Sequence, residues 1–314
     1  MRKGLASLLV MLLGGSAAGA AVQAPAPLFR SGVDMVSVAA TVKTRRGRPV
    51  VNLGRDDFQV LDAGEVRTIS EFRSDDRAPV NLALLIDFSG SMGVGARRQA
   101  TREAAVELLG ALTPAADRIG LYGFDTRLRE LHPLTPAPGR ILTELDAEAR
   151  PFGATSLFDA IAETGRLLAK AAGGRRAVVA FTDGADNASR LTPAEVSGIA
   201  SGIDVPVYII VVVSPYDRSE RSTIDDPRLV DGVLTGPLAN LARWTGGEIH
   251  VGVGPTRSGQ AASQIVAELR QQYLIAFEPG RRVGWHPIEV RTRDRDLVVR
   301  ARSGYIVQGH REGL

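Results

Sequence analysis

The sequence has 314 residues, of which 44% are apolar and 23% are charged, so it can bury one sizeable hydrophobic core and a smaller second one. Its formal net charge is only +3, and its 38 basic residues, nearly all arginine, are spread along the chain without a block. This weak, scattered charge argues against a nucleic-acid-binding protein. The absence of cysteine from the sequence excludes disulfide bonds and a lipid-bearing N-terminal cysteine.

The N-terminal segment, residues 1–24, has the pattern of a secretory signal peptide. Arg2 and Lys3 precede an apolar segment from Leu5 to Leu13, and small residues continue to Ala24. The apolar segment is too short for a comfortable membrane span. We therefore expect an exported protein, periplasmic or extracellular and not a lipoprotein, with an uncleaved anchor as the open alternative.

Residues 25–78 predict a small β segment. Apolar and polar residues alternate from position 33 to position 72, and turn signals fall at Arg46-Gly47 and Ala63-Gly64. This pattern is typical of three or four short antiparallel strands.

Residues 79–272 have a different pattern, in which buried strands alternate with helices. The runs "VNLALLID", "RAVVAFTD" and "VPVYIIVVV" are nearly continuously apolar, as parallel strands covered on both faces require. "RIGLYGFD" and "LRELHPL" predict an early hairpin, and Thr192 is expected to be the N-cap of a helix. Other helical patterns cover residues 96–112, 138–148, 156–172 and 258–272. The predicted fold class is α/β, a doubly wound, mostly parallel, Rossmann-like sheet.

Residues 273–314 return to strand-like patterns in "YLIAFEP", "HPIEVRTR" and "DLVVRARSGYI". A few strands at each end of the chain have too little core to fold alone. We therefore predict that residues 273–314 pair with residues 25–78 in one small β-sandwich beside the α/β domain.

Five oxygen-bearing residues are expected at one edge of the predicted sheet, because ligands of open α/β sheets bind outside the carboxyl ends of the strands. They follow two buried strands and precede one helix, and they are Asp87, Ser89, Ser91, Thr155 and Asp183. Each one alone is also explained by turn chemistry or helix capping. Together, two carboxylates and three hydroxyls without a lysine or arginine suit a hard divalent cation.

"DFSGSM" at residues 87–92, with Thr155 in the next helical loop and Asp183 in "FTDG", resembles the von Willebrand factor type A domain and its metal-ion-dependent adhesion site. The family pattern is Asp-x-Ser-x-Ser, then Thr, then Asp, and the resemblance covers about residues 79–272. It implies direct coordination by the hydroxyls of Ser89, Ser91 and Thr155, with Asp87 and Asp183 acting through water or serine hydrogen bonds. It also implies Mg²⁺ as the ion, although Mn²⁺ and Ca²⁺ accept the same oxygens.

The flanking segments carry a second resemblance. "NLGRDDFQVLDAGEVRTISEF" before the domain, and "QQYLIAFEP" and "VVRARSGYI" after it, look like the ends of secreted bacterial proteins built around this domain. This likeness bears on architecture and location rather than on activity.

The expected function is a metal-ion-dependent protein-binding or adhesion module, not an enzyme, whose partner protein supplies an Asp or Glu to the metal. A scaffold or assembly subunit that uses no metal is the alternative. A magnesium-dependent phosphatase-like hydrolase is disfavoured, because it would need a second aspartate where Ser89 stands and a lysine near the phosphate. The histidines at positions 132, 250, 286 and 310 are interpreted as turn or surface residues.

Two further features concern partners. Residues 214–236 are a long polar stretch after a predicted strand, and we expect them to rise on the metal face. Several arginines near the C-terminus could line one strand face and meet an acidic polysaccharide or a membrane surface of the envelope, or simply keep a strand edge soluble. They stand at positions 291, 293, 295, 300 and 302.

Overall fold

The computed structural model describes residues 35–75, 77–93, 96–136, 140–148, 153–202, 204–213 and 234–307. All described residues belong to one compact unit. The predicted signal peptide and most of the 214–236 stretch lie outside the described residues. Within the described ranges, no helix is long and apolar enough to cross a membrane.

The elements of the described residues are numbered here in chain order. The strands are β1 (Val36–Thr44), β2 (Phe58–Asp62), β3 (Glu65–Arg67), β4 (Ile69–Arg73), β5 (Val80–Asp87), β6 (Arg118–Phe124), β7 (Leu128–Pro136), β8 (Arg175–Thr182), β9 (Val207–Val213), β10 (Ile249–Val253), β11 (Tyr273–Phe277), β12 (Gly284–Thr292), β13 (Leu297–Ala301) and β14 (Gly304–Val307). The α-helices are α1 (Arg97–Ala111), α2 (Ile141–Ala147), α3 (Leu157–Ala169), α4 (Pro193–Gly202), α5 (Pro237–Thr245) and α6 (Gly254–Arg270). Short 3₁₀ turns cover Arg55–Asp57 and Gly90–Gly93.

A central sheet in the order β10-β9-β8-β5-β6-β7 confirms the predicted α/β fold class. Strands β10, β9, β8, β5 and β6 run parallel, and β6 and β7 form the predicted antiparallel hairpin. Every residue of β5 is buried, because helices cover both faces of the sheet and each face has its own hydrophobic core. The carboxyl ends of the parallel strands therefore meet at one exposed edge.

Local sequence signals explain where two of the helices begin. Thr192 caps α4 as predicted, since Glu195 N donates to its Oγ1 at 3.3 Å and Glu195 Oε2 accepts from Thr192 N at 2.8 Å. The last helix, α6, begins at Gly254, four residues before the predicted start at Ser258. Pro255 lies in its first turn, where a missing N–H donor costs nothing, so the helix extends further back than its apolar spacing indicated.

The two ends of the chain form one β-sandwich, as predicted. One sheet has the order β13-β1-β11-β4 and the other has the order β14-β12-β2-β3, so each mixes strands from before and after the central sheet. Their inner faces enclose a third hydrophobic core, which includes Val38, Phe58 and Tyr273. The run "DLVVRARSGYI" is divided between β13 and β14, because the chain crosses from one sheet to the other at Arg302 and Ser303. The domain boundaries at residues 79 and 272 remain predictions.

The sandwich contacts the amino ends of the central strands. Arg175, the first residue of β8, is buried and donates to the carbonyls of Leu269 and Gln272, each at 2.8 Å. Arg302, beyond β13, is buried and donates to the carbonyl of Ser201 at the end of α4. The sandwich therefore lies opposite the exposed carboxyl edge of the central sheet.

A largely buried cluster of charges joins the sandwich to the α/β part. Lys43 of β1 pairs with Glu248 at 2.8 Å and with Glu268 of α6 at 2.6 Å, and Arg300 of β13 contacts the same two carboxylates. Tyr208 Oη donates to Glu268 at 2.8 Å. Burial alone would raise the pKa of Glu248, but attraction to Arg300 and Lys43 outweighs it and lowers the pKa to about 2. Arg300 and Arg302 thus lie inside the molecule, and the expectation that both face outward with Arg291, Arg293 and Arg295 is wrong.

The interpretation of the histidines as turn or surface residues is wrong for His286, which is 2% exposed inside the sandwich. Its Nδ1 lies 2.7 Å from Asp62 Oδ1, and Asp62 also accepts hydrogen bonds from Gly280 N at 2.8 Å and Tyr305 Oη at 3.1 Å. Burial opposes ionisation of Asp62, but these hydrogen bonds prevail and lower its pKa. His310 lies outside the described residues.

Removal of one member of the buried charge cluster should cost much stability. In Glu268→Ala, Lys43 and Arg300 each lose a carboxylate partner in a largely buried place, and we expect the free energy of unfolding to fall by about 3–5 kcal/mol. Urea unfolding followed by circular dichroism measures this. Glu289→Ala is the control, because Glu289 pairs with Arg291 at an exposed position and its loss should change stability little. Equal effects in both variants would contradict the prediction.

Acid should destabilise the protein through His250, which lies on β10 rather than in a turn. Burial lowers the pKa of His250 from 6.5 to about 4, so between these pH values the unfolded chain binds a proton that the folded protein excludes. The free energy of unfolding should therefore fall as pH drops from 6.5 to 4, with about 3 kcal/mol of the loss due to this residue. Urea titrations at several pH values should show a shallower decline for His250→Gln, and a parallel decline would disprove the assignment.

Candidate metal centre

Asp87 is the last residue of β5 and is 1% exposed. Each of its two carboxylate oxygens is held by a neighbouring group. Ser89 N donates to Oδ1 at 2.8 Å, and Thr182 Oγ1, at the end of the adjacent strand β8, donates to Oδ2 at 2.6 Å. Gly184 N donates to Thr182 Oγ1 at 3.1 Å, and this hydrogen bond holds the Thr182 hydroxyl in position. The carboxylate is thereby locked at the carboxyl edge of the sheet.

The electrostatic environment of Asp87 disfavours its negative charge. Burial raises the pKa of the carboxyl above its ordinary value, hydrogen bonds from Ser89 and Thr182 act in the opposite direction, and the negative charge of Asp183 raises it further. Among the described residues, no lysine, arginine or histidine forms an ion pair with Asp87. Two acidic groups that repel each other, neither of them in an ion pair with a described basic residue, make a place where a cation would be stabilised.

Ser89 and Ser91 lie in the turn that follows β5. Ser89 is 1% exposed and Ser91 is half-buried, and their hydroxyl oxygens are 3.2 Å apart. The alternation of serines around Gly90 thus points both hydroxyls to the same side of the turn. Arg97 Nη1, from the start of α1, donates to the carbonyl of Ser91 at 2.7 Å. This hydrogen bond helps to hold the serine-containing turn in place.

Thr155 lies two residues before α3 and is 2% exposed. Its backbone is held on both sides, because its N–H donates to Asn187 Oδ1 at 2.8 Å and its carbonyl accepts from Asn187 N at 3.1 Å and Ala188 N at 3.0 Å. Its hydroxyl makes no hydrogen bond to any other described residue. The threonine is therefore fixed in place with its oxygen still available to a ligand.

Asp183 directly follows β8 and is half-buried. Its Oδ1 accepts from Ala185 N at 3.2 Å, which closes a small turn. Gly184 has a φ of +90°, a left-handed conformation that favours glycine and turns the chain away from the strand. One oxygen of Asp183 thus accepts a hydrogen bond within the turn, as the Asp-Gly pattern indicated. The negative charge of the carboxylate still raises the pKa of Asp87.

Hydrogen bonds connect the three loops in a closed ring. The β5 loop meets the loop before α3 where Gly90 N donates to the carbonyl of Gly153 at 3.1 Å. That second loop meets the β8 loop through Thr155 and Asn187, and the β8 strand end returns to β5 through Thr182 and Asp87. Asp87, Ser89 and Ser91 are directly connected, whereas Thr155 and Asp183 are brought to the same edge through their backbones.

Several residues that hold this arrangement were not predicted from the sequence. Thr182 and Asn187 are the connectors described above. Asp186 is a third, since its carboxylate accepts from Phe158 N at 3.1 Å and from Ser189 Oγ at 2.6 Å and so ties the β8 loop to the start of α3. Thr182 directly precedes a predicted ligand, which was a usable signal. Asn187 and Asp186 resemble ordinary polar loop residues, and nothing in their spacing marks them.

The available oxygens fit a divalent cation bound mainly by hydroxyls. Within the described ranges, no group of three or more His, Cys, Asp or Glu side chains is arranged to hold a metal ion, so a site built from carboxylates or imidazoles is not present there. The edge instead offers two adjacent serine hydroxyls, a threonine hydroxyl without a hydrogen-bond partner among the described residues, and a buried carboxylate. Hard oxygen donors of this kind suit Mg²⁺ and similar ions.

Comparison with known proteins gives one sequence match and a set of structural similarities. Residues 82–185 match the family model of the von Willebrand factor type A domain, and this span contains all five candidate residues. The search of curated proteins found no match.

Three of the similar solved structures have sequence identities to this chain of 19%, 14% and 13%. The conserved hypothetical protein BatB from Bacteroides thetaiotaomicron is 19% identical, with a TM-score of 0.48, over 60% of this chain and 98% of that chain. A von Willebrand factor type A protein from Catenulispora acidiphila is 14% identical, with a TM-score of 0.48, over 90% and 76% of the two chains. The PilB minor pilin from Streptococcus sanguinis is 13% identical, with a TM-score of 0.45, over 62% of each chain.

The family match covers the strand that ends at Asp87, the hairpin after it and the strand that ends before Asp183, and these segments occupy the expected places in the central sheet. Residues 82–185 therefore resemble the von Willebrand factor type A domain, whose family consists of protein-interaction and adhesion modules.

Proposed function

We propose that this protein is a metal-ion-dependent binding module that captures an acidic residue of a partner protein at the carboxyl edge of its central sheet. The observation that carries the proposal is the buried Asp87 carboxylate, fixed by Ser89 and Thr182 near the serine and threonine hydroxyls and without a basic partner among the described residues. The ionised form of such a group is unfavourable unless a nearby cation stabilises its charge.

The five residues have separate roles in this proposal. The hydroxyls of Ser89, Ser91 and Thr155 hold the ion directly, and Asp87 and Asp183 orient these ligands or bound water from behind. When bound, the ion would supply an incompletely neutralised positive charge with a coordination position open to a partner's carboxylate oxygen. Mg²⁺ is the ion we expect, and Mn²⁺ and Ca²⁺ have the same oxygen preference.

The ring of hydrogen bonds supports this assignment of roles. Because Asp87 is already held on both oxygens, it needs no large movement to act behind the serines. Thr155 is held through its backbone, so its side-chain oxygen is the part left for coordination. A site whose ligands are fixed in advance loses little conformational entropy on binding.

The lysine positions bear on the enzyme alternative. Lys43 is engaged with Glu248 and Glu268 at the amino end of the central strands, and Lys170 follows α3 at its C-terminal end. Neither lies at the edge where Asp87 would have to act on a phosphate. We therefore propose a non-enzymatic binding module rather than a phosphatase-like hydrolase. Export to the periplasm or beyond is part of the same proposal, and a scaffold that uses no metal is its alternative.

Divalent cations should stabilise the protein in a way that depends on the threonine hydroxyl. At a Mg²⁺ concentration about one hundred times the dissociation constant, binding should add about 2.7 kcal/mol to the free energy of unfolding and raise the melting temperature by several degrees. Thr155→Ala should lose most of this gain. Differential scanning calorimetry with Mg²⁺, and then with EDTA, measures it.

Two further variants make that measurement decisive. Ser156→Ala removes a neighbouring buried hydroxyl that is outside the proposed set and should keep the response to Mg²⁺. Asp87→Asn should abolish the response without lowering the melting temperature in EDTA, because burial and Asp183 disfavour the charge that it removes. No stabilisation of the parent protein by Mg²⁺, Mn²⁺ or Ca²⁺ would exclude a metal site and favour the metal-independent scaffold.

Partner capture should require both the metal and Asp87. Immobilised parent protein in Mg²⁺ should retain a specific partner that EDTA releases, and Ser156→Ala should retain the same one. Asp87→Ala should retain none of it. Amidation of the partner's carboxyl groups should abolish capture, since it removes the negative charge that the positively charged ion would attract. Retention that survives EDTA and amidation would rule out the acid-to-metal contact.

A further inference from the structure

An arginine-lined groove lies on the sandwich. Its volume is about 690 Å³, within the range typical of ligand sites, and it is formed by the 3₁₀ turn Arg55–Asp57, strands β2 and β3, and the end of β12 with the turn after it. One carboxylate, Asp56, belongs to its lining. The basic residues of the lining are Arg55, Arg67, Arg291, Arg293 and Arg295. We call this recess the arginine groove.

Two of the five guanidinium groups form ion pairs with acidic side chains. Arg67 pairs with the buried Asp62 at 3.1 Å and with Glu65 at 3.0 Å. Arg291 pairs with Glu289 two positions earlier on the same strand, where both side chains are more than half exposed. An exposed pair of this kind is weak and exchanges readily with another anion, so Arg291 remains available to a ligand.

The other three guanidinium groups form no ion pair with any described residue. Arg293 and Arg295 are exposed in the turn after β12, and Arg55 donates only to the carbonyl of Ser70 at 3.4 Å. The turn is held against the opposite wall, because Arg293 N donates to the carbonyl of Asp57 at 2.9 Å. The backbone thus keeps several positive charges together in one recess, although they repel one another.

We propose that the arginine groove binds an acidic polysaccharide. A guanidinium group presents a planar fork of donors that matches a carboxylate or sulfate, and several forks along one recess can contact successive charged sugars of a chain. This inference is independent of the metal centre, because the sandwich lies at the opposite end of the central strands.

The shape and lining of the groove favour a polysaccharide over two other polyanions. A flat bilayer of anionic lipids cannot enter a recess, whereas a single sugar chain can. Nucleic acid strands are commonly held by bases stacked on aromatic rings. The aromatic residue in the lining, Phe58, is 6% exposed because its ring packs in the sandwich core against Tyr273. The lining therefore offers charge without a stacking surface.

The test is a titration of the full-length protein with polygalacturonate and with heparin at low salt, followed by isothermal calorimetry. We expect at least one of them to bind, with an affinity that falls as NaCl is added. The double variant Arg293→Glu/Arg295→Glu should weaken binding by at least about tenfold. Arg257→Glu is the matched control, because Arg257 is exposed in the first turn of α6 at the other end of the molecule, and it should change affinity less than about twofold.

The same titration with single-stranded DNA and with vesicles of phosphatidylglycerol and phosphatidylcholine completes the test. Groove-dependent binding of a polysaccharide, stronger than that of DNA or vesicles, supports the proposal. It is overturned if neither polysaccharide binds, if the double variant and Arg257→Glu weaken binding equally, or if DNA or vesicles bind at least as tightly through the same arginines. Circular dichroism and the melting temperature verify that each variant is folded.

Discussion

The buried carboxylate of Asp87 is the feature on which the functional edge of this protein depends. It terminates a strand that is covered on both faces, and hydrogen bonds from Ser89 and Thr182 hold it there at 2.8 and 2.6 Å. Few places in a protein retain an acid that is so deeply buried and lacks a basic partner. The loop before α3 and the β8 loop are arranged around it, and their backbone contacts determine which oxygens stay free.

Much of the architecture could be predicted because its signals are local. The continuous apolar runs of β5, β8 and β9 correspond to strands buried on both faces, and the alternating runs at the chain ends correspond to strands with one face in the sandwich core. The positions of Asp87 and Asp183 at strand ends followed from these runs. Their place at one edge followed from the parallel order of the strands.

The remaining contacts could not be predicted, because they join residues that only the folded chain brings together. Thr182 and Asp87 are 95 positions apart, and the contact of Thr155 with Asn187 depends on the detailed path of two loops. Arg300 and Arg302 alternate with hydrophobic residues much as exposed strand residues do. Only the position of α4 and α6 beneath the sandwich shows that they are enclosed, while Arg293 and Arg295 stay outside.

The pairing of the chain's two ends has a consequence for how the molecule is made. Strand β1 finds its hydrogen-bonding neighbours in β11 and β13, and β2 finds one in β12, more than two hundred residues further on. During synthesis, the edges of these early strands stay without their hydrogen-bonding partners until the C-terminal strands have been made. The α/β part, whose contacts are more local, can assemble in the meantime, and closure of the sandwich would then be the slow and final step of maturation.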